Sequence, residues 1–554
     1  MAIFHYTYKH SSTDGVTGYF SCEPDAELAW PDSLRALSER PSDLWLQEHV
    51  LKQAAALDNE QKHAFEIFCQ NPEDCAMPGL AEMNAALSDE FLQVCRVLSS
   101  KLFKPAAAAK SGKEKELYEL GLAARANIHF HQPMPQLEFE YIEWPRENTK
   151  TRKPALEGGR EAGFRNWADN TDREKLKSLA ESALRALEKA NLLHGPEMRH
   201  ESSLSPVALL RQWNLQSRVL FGAAPYHLAG LATAYGKGFS LAQARVSCLM
   251  EIVERASAHA TILENGEFLG QSKLGGLIYG GMRDLKGMGR ECIDLRDDQG
   301  VSESALFWVK AENYQGKKCL IPASEVFLFL NLPEEHKPPI SASTGLASHT
   351  CVDGARLKAL LEVMERHAHA TMPHRPENCF SLASEDALVQ SLLADYKMNG
   401  INVYFEDITT ENGLPVYRCF VGGKDGNMAQ ATAAGLNGRE ALLSALCETP
   451  WPYAYSRPVF SAKPSIKMTP PPTSRYLESL PDYSEGSADK DLAKLEKLFC
   501  QHQYGPVYVN LTRDDLLFPV FRCFIPAYEI DSDYDDLNLP GSQLMLNVRE
   551  LLRK

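Results

Sequence analysis

Two segments of this sequence are near copies of each other: ARVSCLMEIVER at Ala244–Arg255 and ARLKALLEVMER at Ala355–Arg366. Both have apolar residues at three- and four-residue spacing, which predicts amphipathic helices. A shorter third copy, ALLSALCE, lies at Ala441–Glu448. In each copy a glutamate follows the leading alanine by seven residues, at Glu251, Glu362 and Glu448. A repeat of this kind indicates duplicated supersecondary units.

The first two copies also share a second glutamate and an arginine, Glu254-Arg255 and Glu365-Arg366. Glutamates three residues apart lie on one helix face, so two such helices packed together would gather four carboxylates and two guanidiniums. For one helix, a solvated polar face is the simpler interpretation. Here apolar residues crowd the glutamates, and buried carboxylates need arginines or bound cations as partners. The pattern therefore favours a Mg²⁺ site that serves nucleotide phosphates.

A glycine-rich segment, Tyr235-Gly-Lys-Gly-Phe-Ser240, precedes the first acidic helix. Glycines beside a lysine let the backbone approach a phosphate closely, and the ammonium of Lys237 would neutralise its charge. The spacing is not that of a Walker A loop. A lone Gly-Lys-Gly is more often a turn, but the acidic helix that follows favours a phosphate-binding role.

Together these residues resemble the YcaO family of ATP-using enzymes. The family motif Ser-x-x-x-Glu-x-x-Glu-Arg stands here as Ser247, Glu251, Glu254 and Arg255, after the Gly-Lys-Gly. A loop like the family's Ser-Asn-Gly-Leu-Ala, Ser343–Ala347, precedes the second acidic helix. Two strand-like segments, Gly413–Arg418 and Phe518–Pro526, also match, and the resemblance spans roughly 205–529.

The resemblance implies an α+β fold, with mixed or antiparallel sheets and packed helices that form an ATP site. Family members phosphorylate the oxygen of a peptide backbone amide in a ribosomally made peptide or protein. A nucleophile then attacks the carbon and phosphate leaves. A neighbouring Cys, Ser or Thr side chain gives an azoline, sulfide gives a thioamide, and an amine gives an amidine. A homodimer and a TfuA-like or other partner protein are further family expectations.

The resemblance also implies roles for individual residues. Lys237, Ser247 and Arg255 would contact the phosphates, and Arg366 would add positive charge beside them. Glu448 would complete the acidic, nucleotide-binding set. The implied Mg²⁺ ligands, direct or through water, are Glu251, Glu254, Glu362 and Glu365. The implied catalytic residues are Glu251, Arg255 and Arg366.

The sequence departs from the family pattern at several positions. Gly354 stands where the family often has an acidic residue, and Ser348-His349 stands where Gly-Asn is usual. Pro450 follows Glu448 closely and predicts that the third helix ends there. The chain ends in a predicted short helix, Val548–Lys554, instead of the proline-rich tail of azoline-forming members, which favours thioamide chemistry or an accessory role over azoline formation.

These departures leave other functions open. One is a nucleotide-binding scaffold or docking subunit that has lost turnover. Another is an accessory factor for methylthiolation of a ribosomal protein, which rests on family analogy alone.

We predict two domains, a mainly helical one at 1–200 and the ATP-dependent catalytic one at 201–554. The first would recognise a leader segment of the substrate or dock a partner. Its predicted elements include strands at Ile3–Tyr8, Gly18–Cys22 and Gln136–Ile142 and helices at Leu44–Phe68, Leu80–Leu102 and Arg173–Leu193. His129 and His131 are interpreted as two surface histidines on one face of a strand. Cys248, Cys351 and Cys447, in or beside the repeats, are predicted to be small buried thiols that pack between helices. His367 and His369 are interpreted as structural.

Composition excludes several classes of protein. The 554 residues include 58 Lys and Arg and 73 Asp and Glu, which gives a net charge of −15. This negative charge, without a basic patch, argues against nucleic acid or membrane partners. No apolar run approaches the roughly 20 residues that span a bilayer. The 13 cysteines form no Cys-x-x-Cys pair, which argues against a zinc ribbon and fits a reducing cytoplasm.

Overall fold

The structure is a computed structural model. It describes residues 3–12, 18–25, 27–70, 87–103, 112–135, 144–145, 155–163, 170–222, 224–293, 305–334, 342–422, 428–451, 470–500, 505–526, 528–530 and 540–553.

The elements before residue 200 are, in chain order, β1 (Phe4–Ser12), β2 (Gly18–Pro24), α1 (Trp30–Glu39), α2 (Leu44–Ala56), α3 (Asn59–Gln70), α4 (Asp89–Phe103), α5 (Lys113–Phe130), β3 (Arg160–Glu161), α6 (Asn170–Lys189) and β4 (Leu193–Arg199). The next are β5 (Val207–Val219), β6 (Tyr226–Gly238), α7 (Leu241–Ser257), β7 (Thr261–Ile262), β8 (Ile278–Gly280), α8 (Met282–Gly287), β9 (Leu306–Asn313), β10 (Lys318–Pro322), α9 (Ala323–Val326), β11 (Leu346–Ser348) and α10 (Val352–Thr371). The last are β12 (Cys379–Ala383), α11 (Ala387–Met398), β13 (Asn402–Asp407), β14 (Val416–Gly422), β15 (Met428–Ala434), α12 (Gly438–Glu448), β16 (Ser474–Tyr476), β17 (Pro481–Asp482), α13 (Ala488–Glu496), β18 (Val507–Asn510), β19 (Val520–Phe524) and α14 (Ser542–Leu552).

Three larger sheets organise the described residues. Their strand orders are β2-β1-β6-β5-β4, β10-β9-β18-β19-β11 and β15-β14-β13-β12-β16. Most pairs are antiparallel, whereas β1–β6 and β12–β16 are parallel. The predicted α+β fold with mixed and antiparallel sheets is confirmed.

The first sheet joins the two sides of the predicted domain boundary. Phe4 to Tyr8 of β1 pair with Tyr226 to Gly230 of β6, which lies far later in the chain. Helix α6 also packs against α7. Strands from both sides of residue 200 thus share one sheet, and the separate role assigned to 1–200 stays a prediction.

All three repeat segments are helical, as predicted, and side-chain caps define the starts of α7 and α12. The Ser240 hydroxyl caps α7 by accepting from Gln243 N–H, and the Asn437 side chain caps α12 in the same way from Glu440 N–H. Helix α12 ends at Glu448, just before Pro450, as predicted.

Three helix predictions in segment 1–200 need correction. The segment 44–68 forms two helices, because Leu57 is extended and the Asp58 carboxylate accepts from Gln61 N–H to start α3. Helix α4 begins at Asp89, where the Ser88 hydroxyl accepts from Phe91 N–H, and 80–86 lie outside the described residues. Helix α6 ends at Lys189 instead of 193, because Asn191 is left-handed (φ 54°) and leads into β4. The strand prediction at 136–142 also falls outside the described residues.

Candidate active site

The structure brings all the predicted site residues to the wall of one cavity of about 1940 Å³. Helices α7, α10 and α12 and strands β6 and β15 form most of this wall. The predicted residues that line it are Lys237, Ser247, Glu251, Glu254, Arg255, Glu362, Glu365, Arg366 and Glu448. Their convergence is observed, whereas the role of each residue remains a prediction.

On α7, one arginine serves two carboxylates. Arg255 Nε lies 3.7 Å from a carboxylate oxygen of Glu251 and 3.7 Å from one of Glu254. The other Glu251 oxygen accepts from the backbone N–H of Tyr235 at 2.7 Å. This bond fixes Glu251 against the end of β6, next to the Gly-Lys-Gly segment.

On α10, the acidic side chains have few protein partners. Glu365 accepts from the Thr432 hydroxyl of β15 at 3.2 Å. Among the described residues, no hydrogen bond or ion pair is made by the side chains of Glu362, Arg366 or the cavity-facing Ser247. These three side chains are therefore available to a bound molecule.

Burial shifts the protonation of the whole cluster. It raises the pKa of Glu254 to about 8, an effect that Arg255 opposes and the charge of Glu362 reinforces. It likewise raises the pKa of Glu365 to about 8. The pKa values of Glu251 and Glu362 are also raised by burial, although neighbouring arginines oppose the change. Near pH 7, Glu254 and Glu365 therefore favour the protonated form, and a bound cation would shift them toward the ionised form.

This donor set fits a Mg²⁺–nucleotide complex. Mg²⁺ prefers oxygen ligands and is usually held by one or two carboxylates together with substrate phosphates. A divalent cation would favour the ionised form of these carboxylates and neutralise their charge, and the arginines would face the phosphates. The residues present therefore match the group that the sequence implied.

Lys237 is engaged within the protein. Its ammonium lies 2.6 Å from a carboxylate oxygen of Glu448 and 3.2 Å from the Glu448 backbone carbonyl, at the end of α12. A phosphate contact by Lys237 would therefore require it to leave or share this ion pair.

The glycines beside Lys237 have a packing function. A Cβ added at Gly236 would lie 2.0 Å from the Ala244 carbonyl oxygen and 2.5 Å from Cys248 Cβ. One added at Gly238 would lie 2.6 Å from Gln243 Cβ. Both glycines let β6 pack closely against α7, and the interpretation that they admit a phosphate to the backbone stays a prediction.

The loop before the second acidic helix is fixed by backbone packing. Gly345 is left-handed (φ 76°), and a Cβ there would lie 2.2 Å from the Cys523 carbonyl oxygen of β19. Cys523 N–H donates to the Gly345 carbonyl at 2.7 Å, and the Ser348 hydroxyl donates to the Met250 carbonyl of α7 at 2.9 Å. The loop thereby ties β19 to the first acidic helix.

Two departures from the family pattern occupy the same space. A Cβ at Gly354 would lie 2.0 Å from Nδ1 of His349. Burial and the nearby charge of Lys358 lower the pKa of His349 to about 4, so the imidazole is neutral near pH 7. The ring of His349 fills the position that an acidic side chain at 354 would need.

Sequence reasoning missed several cavity residues. Lys358 lies one helical turn before Glu362 and lines the cavity. Burial there lowers the pKa of the Lys358 ammonium. Its spacing from Glu362 could have revealed it. Arg125 and His129 reach the cavity from α5, and no sequence signal pointed to them.

The histidines also differ from prediction. His129 ends a helix, and His131 caps it in a left-handed conformation (φ 52°), so the two do not share a strand face. His131 is buried and stacks on His374 at 3.6 Å, which contradicts its assignment to the surface. His369, interpreted as structural, lines the cavity 5.2 Å from the ring of His129. His367 is structural, since it stacks on Tyr528.

Cysteines beside the repeats were predicted to be buried packing residues. Cys248 and Cys447 are buried, and burial raises the pKa of each thiol to about 12. Cys351 is exposed, with its sulfur 3.4 Å from His349 Nδ1. The prediction is therefore wrong for Cys351, which precedes α10 instead of packing inside it.

Comparison with known proteins identifies a family. Residues 235–529 match the family model described as YcaO cyclodehydratase, ATP- and Mg²⁺-binding. An uncharacterized protein of Methanothermobacter thermautotrophicus is 26% identical over 327 residues, which cover 54% of this chain and 82% of that protein. In the part of the chain that the structure describes, no helix is both long and apolar enough to cross a membrane.

The solved structures that match this chain include two heterocyclases and a YcaO protein. A heterocyclase in complex with substrate and cofactor is 15% identical with a TM-score of 0.48, over 63% of this chain and 52% of that chain. YcaO from Methanopyrus kandleri, bound with AMPPCP and Mg²⁺, is 19% identical with a TM-score of 0.44, over 69% and 96%. The heterocyclase TruD is 16% identical with a TM-score of 0.40, over 54% and 47%. This chain thus spans about half the length of the two heterocyclases.

Proposed function

Because this chain belongs to the YcaO family, whose members bind ATP and Mg²⁺, we propose that it phosphorylates the oxygen of a backbone amide in a ribosomally made peptide or protein. One observation carries the proposal: the four glutamates of α7 and α10 and their two arginines converge on a single cavity. The product would be a thioamide if sulfide attacks the activated carbon and an azoline if a neighbouring side chain does.

The protein's contribution would be positioning and charge. Glu251, Glu254, Glu362 and Glu365 would hold Mg²⁺, directly or through water. Lys237, Ser247 and Arg255 would contact phosphate oxygens, and Arg366 would offset charge as it develops. Bound ATP supplies the phosphoryl group that makes the amide oxygen a good leaving group. In such transfers, orientation and electrostatic stabilisation account for most of the catalysis.

Burial of the site strengthens these interactions. Electrostatic attraction is several-fold larger in a partly desolvated site than in water, so the partly buried Arg255 and its neighbouring carboxylates act more strongly on a phosphate or a cation. The bond from Tyr235 N–H to Glu251 and the bond from the Thr432 hydroxyl to Glu365 hold two of the carboxylates in place. The site is thus largely preorganised by the fold.

The test is ADP release from the purified protein with Mg²⁺ and ATP. We expect Glu251→Gln to lower the rate by about 10²–10³-fold, as loss of a preorganised charged group does in other enzymes. Glu264→Gln, an exposed glutamate outside the cavity, is the matched control and should release ADP at the wild-type rate. Equal rates for wild type and Glu251→Gln would contradict the proposal, and so would absence of ATP binding by calorimetry.

A scaffold without turnover is the second candidate, and the ion pair of Lys237 with Glu448 favours it. In a scaffold this lysine would stay on α12 and would not contact phosphate. ATP would then bind without ADP release, and Glu251→Gln would change only nucleotide affinity. Calorimetry and ADP release on the same samples distinguish the two functions.

Residues before 200 would contact the substrate or a partner. The supporting observation is that α5 and α6 contribute Arg125, His129, Leu176 and Leu179 to the cavity wall. A homodimer and a TfuA-like partner remain family expectations.

A further inference from the structure

Strand β15 forms the rim of its sheet and one wall of the active-site cavity. Among the described residues it pairs only with β14, in antiparallel register from Val416↔Ala434 to Gly422↔Met428. All the residues of β15 line the cavity. One edge of the sheet therefore faces the carboxylate cluster.

The register identifies which backbone groups point toward the cavity. The Val416 carbonyl accepts from Ile408 N–H at 3.0 Å, so the backbone of Val416 points toward β13. Alternate residues of an antiparallel strand point to opposite neighbours. Tyr417 therefore bonds Ala433, and the outward residues in the middle of β15 are Gln430 and Thr432.

Gly435 confirms this alternation. Its N–H donates to the Pro415 carbonyl at 3.1 Å, which places the odd-numbered residues toward β14. Within the described part of the chain, no hydrogen bond engages the backbone N–H or C=O of Gln430 or Thr432. Their side chains bond elsewhere, Gln430 to the Ile128 carbonyl and Thr432 to Glu365.

Such an edge is a template for another strand. Unpaired backbone groups beside apolar walls are costly, and an extended chain satisfies them by adding to the sheet. The cavity, about 1940 Å³, exceeds the roughly 1,000 Å³ upper range of single small-molecule sites, so it has room for a peptide beside a nucleotide.

We propose that the substrate binds as an extended peptide segment that pairs with the outward edge of β15 at Gln430 and Thr432. The Thr432 hydroxyl lies 3.2 Å from Glu365, so a peptide paired at Thr432 has its backbone beside the acidic cluster. Main-chain pairing provides affinity for many sequences, as in other β-strand additions. The nature of the occupant rests on the proposed function, whereas the pairing edge itself does not.

A matched pair of variants tests the edge. Gln430→Ala and Gln430→Pro both lose the side-chain bond to Ile128, but only the proline loses the outward N–H. An edge strand tolerates proline at an outward position. The probe is a randomised decapeptide library with a central benzophenone, photolysed with the protein in the presence of a non-hydrolysable ATP analogue and Mg²⁺.

We expect the wild type and Gln430→Ala to be labelled at 428–436, and Gln430→Pro to lose about tenfold of that labelling, the effect of one or two backbone hydrogen bonds. Unchanged melting temperature and ATP affinity verify that Gln430→Pro is folded. Equal labelling of the two variants, or labelling confined to other regions, would overturn the proposal.

Hydrogen exchange of the free wild-type protein gives a second test that needs no variant. The amides of Gln430 and Thr432 should exchange much faster than those of Ala431 and Ala433, which bond β14. Protection of the outward amides would show that the edge is already paired and would contradict the proposed peptide pairing. Neither experiment needs turnover, so failure here with normal ADP release would leave the proposed function intact. Labelling of the edge without ADP release would support the peptide site but not the proposed function.

Discussion

Single carboxylates of this site should control the pH dependence of stability. Burial raises the pKa of Glu365 to about 8, above the ordinary value of about 4.3 for an unfolded chain. Between these two pH values the folded protein binds a proton that the unfolded chain has released. The free energy of unfolding therefore falls as the pH rises through this window.

We predict that Glu365→Gln stabilises the protein at pH 8 by about 3–4 kcal/mol relative to its effect at pH 5, because the amide carries no charge to desolvate. Thermal denaturation of wild type and variant at both pH values measures the difference. The exposed Glu264→Gln should show no such pH dependence. A Glu365→Gln effect that is the same at pH 5 and pH 8 would mean that Glu365 is ionised normally in the fold.

A second residue-scale prediction concerns His349 and Gly354. Gly354→Asp restores the family's usual acidic residue but places a side chain against the imidazole, and we expect a loss of about 1–3 kcal/mol of stability from overpacking. His349→Asn, which is smaller, should recover most of that loss in the double variant. Urea denaturation of both single variants and the double variant gives the coupling energy. Additive effects would show that the two positions do not share space.

The sequence predicted the chemistry of the site better than its contacts. The acidic residues of α7 and α10 can be recognised because the two segments repeat each other, and all of these residues line one cavity. The bond between Thr432 and Glu365 joins residues 67 positions apart, and it depends on how β15 packs on α10. No local pattern encodes that distance, which is why Thr432 was missed.

At the scale of elements, Glu448 at the end of α12 holds the ammonium of Lys237 in an ion pair. We predict that Lys237→Met weakens ATP binding by about tenfold or more, the usual effect of losing a hydrogen bond to a charged group. Glu448→Gln should strengthen ATP binding, because the ammonium no longer leaves an ion pair. Calorimetric titration with Mg²⁺ and ATP measures both.

The outcome also separates the two candidate functions. If both variants bind ATP as the wild type does, Lys237 stays on Glu448 and serves only to hold α12 against β6. Gln243→Ala, which removes a cavity-lining polar side chain next to Lys237 but no charge, is a control for local packing. Its ATP affinity should stay close to that of the wild type.

Helices were more predictable than strand partners. The ends of α7 and α12 follow from local signals, a Ser or Asn cap and a proline. The pairing of β1 with β6 is not local, because β1 ends at Ser12 and its partner residues begin only at Tyr226. Sequence pattern indicates that a segment is a strand, but long-range packing decides which strand it joins.

At the scale of the whole molecule, a buried polar network joins the two sides of residue 200. Glu406 and Arg418 are fully buried and 2.7 Å apart. Burial opposes ionisation of Glu406, but Arg418 and His374 outweigh it and lower its pKa to about 2. His131, from segment 1–200, covers His374 by stacking on it, and α5 also packs against α14 near the other end of the chain.

This arrangement predicts that residues 201–554 do not fold alone. Without segment 1–200, β6 loses its parallel partner β1, the apolar face of α7 loses α6, and the His374 ring loses His131. Exposure of a long strand edge promotes aggregation. Water would also reach the ion pair of Glu406 and Arg418, which would then lose the buried environment that the fold provides. We expect the 201–554 fragment to lack a cooperative thermal transition and ATP binding, while the full chain shows both.

Addition of separately expressed 1–200 should restore part of the ATP binding. A fragment that melts cooperatively and binds ATP as tightly as the full chain would establish 201–554 as an autonomous domain, and the shared sheet would then be a docking interface between two folded units.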